Sequence, residues 1–226
     1  MLQCKQLVKS YKNHCVVDHL DFSVNQGEAF ALLGSNGAGK TTTIKMILGL
    51  IQPESGLIQL EKGVTIGYSP ETPYFPPFLT GQEVLMYYAG IQNIAKEKRQ
   101  SEVLHLLELV GLSNDSVKVK HYSKGMLQRL ALAQAMLGNP SLLILDEPTA
   151  GLDALGRIEM MNLLNRLKEQ GKTILMNSHI LNDIERVCDR GIIMKHGKLV
   201  RVWSNEELKQ GETLESLFLM AVGGIE

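Results

Sequence analysis

The sequence is poor in several features that would place a chain in a specialised class. Its three cysteines are too few and too scattered for a disulfide framework or a zinc site. No apolar run approaches the ~18 residues that a membrane-spanning helix needs, and the polar N-terminus lacks the apolar segment of a signal peptide. We therefore expect reduced thiols and a chain that does not itself cross a membrane.

An excess of charge of either sign is also missing. Lysine and arginine number 23 against 24 acidic residues, which gives a formal net charge of −1. A chain without a global positive field has no general means of collecting nucleic acid or anionic lipid. With 44% hydrophobic and 21% charged residues, the composition is that of a globular protein with a substantial core.

Short apolar runs towards both ends of the sequence predict buried strands. EAFALL leads into Gly34, and LLILD and KTILMNSH follow Pro140; continuous runs of this length suit strands covered on both faces. Residues 41–50 and the segment ALGRIEMMNLLNRLKEQG have helical periodicity, and RGIIMKHGKLVRV predicts a hairpin that turns at His196 and Gly197. This alternation predicts an α/β core.

A helical segment interrupts the alternation. Three prolines within residues 73–77 forbid regular structure and mark its start. Thr80 with Glu83 then predicts a capping box, and a later helix is expected to stop at Gly111. The most economical architecture is an α/β core with a helical insert.

Residues 34–41, GSNGAGKT, match the pattern of a phosphate-binding loop and lie between a predicted strand and a predicted helix. Glycines at this spacing let successive backbone N–H groups point at phosphate oxygens, and the following helix adds its positive N-terminal end. Lys40 would reach the β- and γ-phosphates, and the Thr41 hydroxyl would hold Mg²⁺. A Gly-rich turn with a solvated lysine is the alternative interpretation.

Two acids, Asp146 and Glu147, end the predicted strand LLILD. Ligands of open α/β sheets bind at the carboxyl ends of strands. We expect Asp146 to contribute to a Mg²⁺ site and Glu147 to orient or deprotonate a water that attacks the γ-phosphate; capping of the next element is the alternative. His179 ends another apolar strand and Tyr11 lies in the first one, where the residues alone favour structural roles.

The segment HYSKGMLQRLALAQAM, residues 121–136, predicts a second phosphate-facing element. Ser123 can cap a helix, and Gly125 allows a ligand to approach the backbone. The segment lies roughly ninety residues after the phosphate loop identified by its motif. An ordinary capped helix is the alternative.

These motifs and their order resemble the ATP-binding cassette of ABC transporters over nearly the whole chain. GSNGAGKTT resembles the Walker A motif, YSKGM the signature, LLILDEP the Walker B motif and AGLD the D-loop. The resemblance implies an α/β fold: a P-loop NTPase core with an antiparallel β subdomain and an inserted α-helical subdomain. One domain, residues 1–226, would have its core in 1–76 and 141–204, its helical subdomain in 77–140 and a helical tail in 205–226.

The resemblance also implies a role for each candidate site residue. ATP would be bound by an aromatic platform for adenine and by the loop, that is by Tyr11, Gly34, Ser35, Asn36, Gly37, Ala38, Gly39, Lys40, Thr41 and Thr42. Catalysis would depend on Glu147, Lys40 and His179, the last at the position of the family's switch histidine. Mg²⁺ would be held by Thr41, Asp146 and Glu71. Asp153 would be the D-loop aspartate.

A dimer follows from the same resemblance, because ABC cassettes work as head-to-tail pairs that enclose two ATP molecules. Each signature serves the ATP held by the other subunit, which here would involve Ser123, Lys124, Gly125 and Met126. Two departures occur. Lys124 and Met126 replace a glycine and a glutamine of the common signature, and Glu71 replaces the Q-loop glutamine. A carboxylate there can still ligate Mg²⁺.

The implied function is an ATP-binding and ATP-hydrolysing subunit that drives a separate permease. The form YSKGMLQRL resembles exporters whose permeases are of the ABC-2 type. The cassette would pair with a second copy of itself or with a paralogous cassette, use ATP and Mg²⁺, and lie in the cytoplasm, peripheral on the inner face of the cell membrane. Tyr74, Phe75 and Phe78 are expected to be exposed for contact with the permease, or else to pack the insert on the core.

The alternative function is that of a soluble ABC ATPase that acts on nucleic acid or ribosomes. Such proteins usually carry two cassettes, long coiled-coil insertions or basic arms, none of which occurs in this sequence. We therefore expect no nucleic-acid partner. A small-molecule kinase with a phosphate loop would leave YSKGM and AGLD without a role.

Overall fold

A computed structural model of the chain describes residues 1–113, 116–209 and 211–223. Its strands are β1 (Leu2–Tyr11), β2 (His14–Val24), β3 (Ala29–Gly34), β4 (Ser55–Leu60), β5 (Ile66–Ser69), β6 (Leu142–Asp146), β7 (Thr173–Asn177), β8 (Arg190–Lys195) and β9 (Lys198–Ser204). Its α-helices are α1 (Lys40–Ile47), α2 (Gly81–Ile91), α3 (Lys96–Leu109), α4 (Lys124–Met136), α5 (Ala154–Glu169), α6 (Leu181–Val187), α7 (Asn205–Lys209) and α8 (Leu214–Val222).

The chain divides into two compact units. Unit 1 comprises Met1–Val64 and Leu167–Glu226, and unit 2 comprises Thr65–Arg166. Unit 2 contains the segment 77–140 predicted as the helical subdomain, together with β5 and β6, and the subdomain limits themselves stay a prediction. Residues 114–115 of that segment, and residues 210 and 224–226 of the predicted tail, lie outside the described residues.

Unit 1 contains an antiparallel sheet and a mainly parallel set of strands. The antiparallel sheet has the order β2-β1-β4, in which Leu2 lies opposite Val24 on one side and Leu60 on the other. Strand β3 pairs in parallel with β7 and with β8, and β9 joins β8 antiparallel. Every residue of β3 and of β7 is buried, as expected for strands covered on both faces. The predicted antiparallel β region and α/β core are therefore present.

Two local features of unit 1 test the sequence analysis. The predicted hairpin turn between β8 and β9 is confirmed, and its central residues His196 and Gly197 both have positive φ, as a type I′ turn requires. The helix predicted over residues 41–50 ends earlier, because α1 stops at Ile47 and Gly49 has a φ of 69°. A left-handed residue after the last turn terminates an α-helix.

Helices α7 and α8 lie within the segment predicted as a helical tail, whose limits stay a prediction. A capping box formed by Thr213 and Ser216 begins α8, whose Leu214 and Leu217 side chains are buried. Within the described ranges, no helix combines the length and the apolar composition that a bilayer span requires.

Unit 2 contains helices α2, α3 and α4, most of α5 and a parallel pair of strands. Strands β5 and β6 run parallel, with Ser69 opposite Leu145. The predicted capping box at the start of α2 is confirmed, since Thr80 Oγ1 accepts from Glu83 N and a Glu83 carboxylate oxygen accepts from Thr80 N. The stop after α3 is confirmed as well, because Gly111 has a φ of 70°.

Helix α4 lies unusually close to strand β5. Gly67 of β5 faces the backbone of α4 so closely that an added Cβ would collide with the carbonyl oxygen of Ala135. Only glycine fits at such an approach of two backbones. The helix that begins at the signature segment is therefore packed directly on the strand that leads to Glu71.

The proline-rich connection after β5 corrects one expectation. Tyr74 and Phe78 are exposed, as predicted, but Phe75 is buried. The Phe75 ring packs edge-on against Tyr88 of α2, with 6.3 Å between the ring centroids. An aromatic ring that meets a partner of this kind is a packing residue, so Phe75 belongs to the interior of unit 2.

Candidate nucleotide site

The phosphate loop of unit 1 joins the buried end of β3 to the start of α1. Its tip, Ser35, Asn36 and Gly37, is exposed, whereas Ala38 and Gly39 are buried. Gly39 has a φ of 101°, and an added Cβ would collide with the carbonyl oxygen of Val16 in β2. This glycine is therefore fixed both by its backbone conformation and by its packing.

The N-terminal end of α1 faces this loop without a side-chain cap. Gly39 is the N-cap residue, and it has no side chain that could accept a hydrogen bond from the first turn. Backbone N–H groups at such a helix end, together with the helix dipole, favour an anion. Thr41 is exposed in this first turn and Thr42 is half-buried.

Lys40 lies along the inside of the loop. Its side chain is only 8% exposed, and its Nζ donates hydrogen bonds to the carbonyl oxygens of Gly34 at 2.7 Å and Ser35 at 3.2 Å. These contacts span five and six residues of sequence, so the ammonium group and the loop form one local structure. The geometry fits a cation that meets phosphate oxygens at the loop.

Tyr11 ends β1 of the antiparallel sheet of unit 1, whereas His179 follows β7 of the mainly parallel strands. His179 follows the end of β7, whose Asn177 lies opposite Leu32 of β3, so His179 and the phosphate loop follow the carboxyl ends of neighbouring parallel strands. Ligands of such sheets bind at this edge. The Tyr11 ring is 48% exposed, with the Lys9 ammonium 5.7 Å from its centroid. It is therefore not a core residue.

Unit 2 brings three predicted acidic site residues to one edge. Asp146 ends β6 and Glu147 follows it, both buried, while Glu71 follows the end of the paired strand β5 and is exposed. Glu147 has a φ of 51°, a left-handed conformation that is uncommon for residues other than glycine. Strained backbone of this kind tends to occur at functional sites.

Two residues that the sequence analysis did not identify contact these acids. The Tyr68 hydroxyl donates a hydrogen bond to the Asp146 carboxylate, and burial, followed by the charge of Asp146, raises the pKa of Tyr68 to about 12. The Gln128 side-chain amide reaches the backbone of both acidic loops, donating to the carbonyl oxygens of Glu71 at 3.0 Å and Glu147 at 3.4 Å.

The sequence does carry a signal for Gln128. It stands three, four and seven positions before Ala131, Leu132 and Ala135, which are all buried. Gln128 therefore falls on the apolar face of α4. A polar side chain on such a face indicates specific hydrogen bonds.

The signature segment confirms the predicted helix cap. Ser123 is the N-cap residue of α4, and its Oγ accepts from Met126 N at 3.2 Å. The stem of Lys124 passes over Gly151, where an added Cβ would lie 2.5 Å from its Cδ. Lys124 thus occupies the space that a side chain at position 151 would need.

The D-loop aspartate lies beside this segment. Asp153 Oδ1 accepts from Gly156 N at 2.8 Å and so caps the start of α5. A cavity of about 390 Å³ separates the signature from the D-loop and is lined in part by Ser123, Lys124, Gly125, Met126 and Asp153. Asp153 therefore has a structural role as the cap of α5, and it is also exposed at the wall of the cavity.

The predicted Mg²⁺ ligands supply oxygen atoms only: the Thr41 hydroxyl and the carboxylates of Asp146 and Glu71. In the described part of the chain, no cluster of three or more His, Cys, Asp or Glu side chains is arranged for a metal ion. Mg²⁺ is usually held by one or two carboxylates together with substrate phosphates. The donor set therefore fits a Mg²⁺ ion that arrives with its nucleotide.

Comparison with known families assigns this arrangement. The family model described as ABC transporter matches residues 17–150, more than half of the 226 residues. The match includes the phosphate loop, Glu71, the signature segment and both acids at the end of β6. The chain belongs to the ABC transporter family.

Curated relatives and solved structures agree with this family. The bacitracin transport ATP-binding protein BcrA of Bacillus licheniformis is 43% identical to this cassette over 222 residues, which cover 93% of the chain and 72% of BcrA. The cassette spans between 59% and 73% of the length of the first curated relatives that it matches.

Two solved structures share the fold of the cassette. An ATP-binding subunit of an ABC transporter aligns with a TM-score of 0.87 and 32% identity, over 98% of this chain and 99% of that one. A dimeric ATP-binding cassette in a post-hydrolysis state with ADP and Pi aligns with a TM-score of 0.83 and 25% identity, over 91% of this chain and 99% of that one. The predicted P-loop ATPase class and the predicted ABC fold are confirmed.

Proposed function

We propose that this cassette is the ATP-hydrolysing subunit of an exporter and works as a head-to-tail dimer beneath a separate ABC-2-type permease. The phosphate loop carries the proposal. A lysine that is 8% exposed inside a glycine-rich loop, next to a helix start without a side-chain cap, forms a cradle for the charged end of a nucleotide.

In this proposal the two units divide the chemistry. The loop from Gly34 to Thr42 binds the phosphates, Lys40 contacts the β- and γ-phosphates, and Tyr11 stacks on adenine. His179 contacts the γ-phosphate. Thr41, Asp146 and Glu71 hold Mg²⁺, which neutralises charge on the phosphate oxygens when bound.

Glu147 is the general base of the proposed reaction. Its carboxylate accepts a proton from a water molecule while the water oxygen bonds to the γ-phosphorus. The bond from that phosphorus to the bridging oxygen breaks, and ADP leaves with the electron pair. A buried carboxylate next to polar loops suits this transfer, because a base must be held in place before the proton moves.

Replacement of Lys40 tests the ATPase proposal directly. We expect Lys40→Ala to abolish Mg²⁺-dependent ATP hydrolysis, because backbone donors alone do not offset the charge of the triphosphate. Lys62→Ala is the matched control, since Lys62 is exposed and outside the loop. Equal hydrolysis by the Lys40→Ala and wild-type chains would refute the assignment.

Export and dimer formation are supported by the relatives and by the signature segment. BcrA is named for bacitracin transport, and a structural neighbour is a dimeric cassette with ADP and Pi. In the dimer, the cavity wall formed by Ser123, Lys124, Gly125 and Met126 clamps the γ-phosphate bound by the other subunit, and Asp153 lies at the same interface. The partner is a second copy or a paralogous cassette.

Mixing two inactive variants tests the head-to-tail dimer. Ser123→Arg damages the clamp and Lys40→Ala damages the phosphate loop, so each variant alone is inactive. A mixed dimer has one doubly damaged site and one intact site. With random pairing in an equal mixture, hydrolysis recovers to about a quarter of the wild-type rate. No recovery, with mixed dimers demonstrated independently, would contradict action in trans.

The permease contact is proposed at the connection between β5 and α2, and it places the cassette on the inner face of the cell membrane, in the cytoplasm. Tyr74 and Phe78 are 82% and 69% exposed. A cavity of about 340 Å³ opens beside Tyr74, and its lining also includes Tyr68, Phe75 and Tyr88. Exposed aromatic side chains at a cavity suit a protein partner.

Serine substitution of Tyr74 and Phe78 tests this contact. We expect transport by the assembled complex to fall while ATP hydrolysis by the cassette and its unfolding temperature stay unchanged. Leu219→Ser, at another exposed apolar position, is the control. A loss of thermal stability without a loss of coupling would favour the packing interpretation.

A further inference from the structure

Gln128 is the polar residue in unit 2 that links the signature helix to both acidic loops. It is 3% exposed, and its Nε2 donates to the carbonyl oxygens of Glu71 and Glu147, which lie 57 and 19 residues away in sequence. One amide group therefore fixes the positions of two loop backbones relative to α4.

The contact with Glu147 acts on a strained residue. The carbonyl oxygen of Glu147 accepts from Gln128 and also from Ala150 N at 3.0 Å. Two donors on one carbonyl oxygen fix the orientation of the following peptide. Glu147 has a φ of 51°, a backbone conformation that must be held by its surroundings. The hydrogen bonds to its carbonyl oxygen help to hold it, and with it the direction in which the side chain leaves the backbone.

Stability alone does not account for a glutamine at this position. Its Oε1 is buried, and the described residues provide no hydrogen-bond partner for it. A buried acceptor without a partner is unfavourable, and an apolar side chain of equal length would remove it. The amide is therefore present for what its nitrogen contacts.

We infer that Gln128 is a positioning residue for ATP hydrolysis, which holds the backbones of Glu147 and Glu71 so that the Glu147 carboxylate is aimed at the attacking water. This inference rests on the proposed role of Glu147 as general base. Gln128 acts through the two loops and does not itself contact the substrate.

Gln128→Met in the full chain removes the amide and keeps the length of the side chain. With Mg²⁺ and ATP as the probe, kcat falls roughly 10- to 100-fold, as expected when a reacting group is misplaced, while KM and ATP affinity change less than about twofold. The unfolding temperature changes little, because removal of the unpartnered acceptor offsets the loss of the two hydrogen bonds that the amide donates. Gln100→Met, the same change at an exposed position of α3, leaves all four quantities unchanged.

The double variant with Glu147→Gln shows whether Gln128 acts through Glu147. Gln128→Met causes little further loss in that background, because residues that act as a unit are not additive. An unchanged kcat, an equal loss of ATP affinity, or a full additional loss in the double variant would overturn the inference. A wild-type cassette without Mg²⁺-dependent hydrolysis would instead overturn the proposed function, and the inference with it.

Discussion

The phosphate loop of unit 1 is held by its own backbone, whereas the acidic loops of unit 2 are held by side chains from other parts of that unit. Lys40 contacts carbonyl groups five and six residues away. Gln128 contacts carbonyl groups 19 and 57 residues away. The lysine contacts of the first region therefore lie within one continuous stretch of sequence, whereas the glutamine contacts of the second join segments that meet only after folding.

The two regions should respond differently to substitution. In the phosphate loop, glycines carry the structure, and an added methyl group should damage both folding and nucleotide binding. In the acidic region, the side chains can be altered without moving the strands that carry them. Substitutions in the acidic region should therefore affect catalysis or Mg²⁺ binding more than the free energy of unfolding.

The largest expected effect is that of Glu147→Gln in the acidic region. Glutamine keeps the size of the side chain but does not accept the proton, so kcat should fall by ~10²–10⁴-fold, with ATP binding retained and a dimer trapped with ATP. Steady-state hydrolysis and nucleotide binding are measured together with Glu97→Gln, an exposed control on α3. Turnover within a few-fold of wild type would remove Glu147 from its role.

A smaller effect is expected in the phosphate loop from Gly39→Ala. Strain at a φ of 101° and the collision with Val16 should lower the free energy of unfolding by about 3 kcal/mol. Gly37→Ala is the matched variant, because its φ of 83° is also positive but no atom lies near an added Cβ; about 1 kcal/mol is expected. Denaturant unfolding compares the two, and equal losses would show that backbone packing does not define the loop.

The smallest effect is expected from Tyr68→Phe. Loss of the hydroxyl that donates to Asp146 should raise the Mg²⁺ concentration for half-maximal hydrolysis by about tenfold, with little change in stability. The pKa of Tyr68 is raised to about 12, so the hydroxyl stays protonated at neutral and moderately alkaline pH. The ratio of the two Mg²⁺ requirements, variant to wild type, should therefore not depend on pH in that range. Tyr87→Phe is the exposed control, and an unchanged Mg²⁺ requirement would show that the hydrogen bond has no functional effect.

The sequence predicted the features whose causes are local. The capping box of Thr80 and Glu83, the stop at Gly111 and the hairpin turn at Gly197 each depend on a few neighbouring residues, and all three are confirmed. The phosphate loop was identified for the same reason, since its pattern of residues lies within one short segment.

Features that depend on distant partners were missed or misjudged. Phe75 was expected to be exposed, yet it is buried against Tyr88, thirteen positions along the chain. Tyr68 is relevant to the site because it contacts Asp146. Gln128 is relevant because it contacts Glu71 and Glu147. No local sequence pattern connects either residue to these partners. Periodicity could indicate that Gln128 is buried, but not which carbonyl groups it meets.

The close approach at Gly67 has a mechanical consequence for unit 2. Where α4 lies on β5 there is backbone against backbone, without an intervening layer of side chains that could slide or repack. Helix and strand should therefore move as one stiff lever, in which the turn that carries Glu71 lies beside the half of α4 that begins at the signature serine. A displacement of the exposed aromatic rings after β5 would therefore displace α4 as well. A larger residue at position 67 would push α4 away from β5 and weaken this coupling.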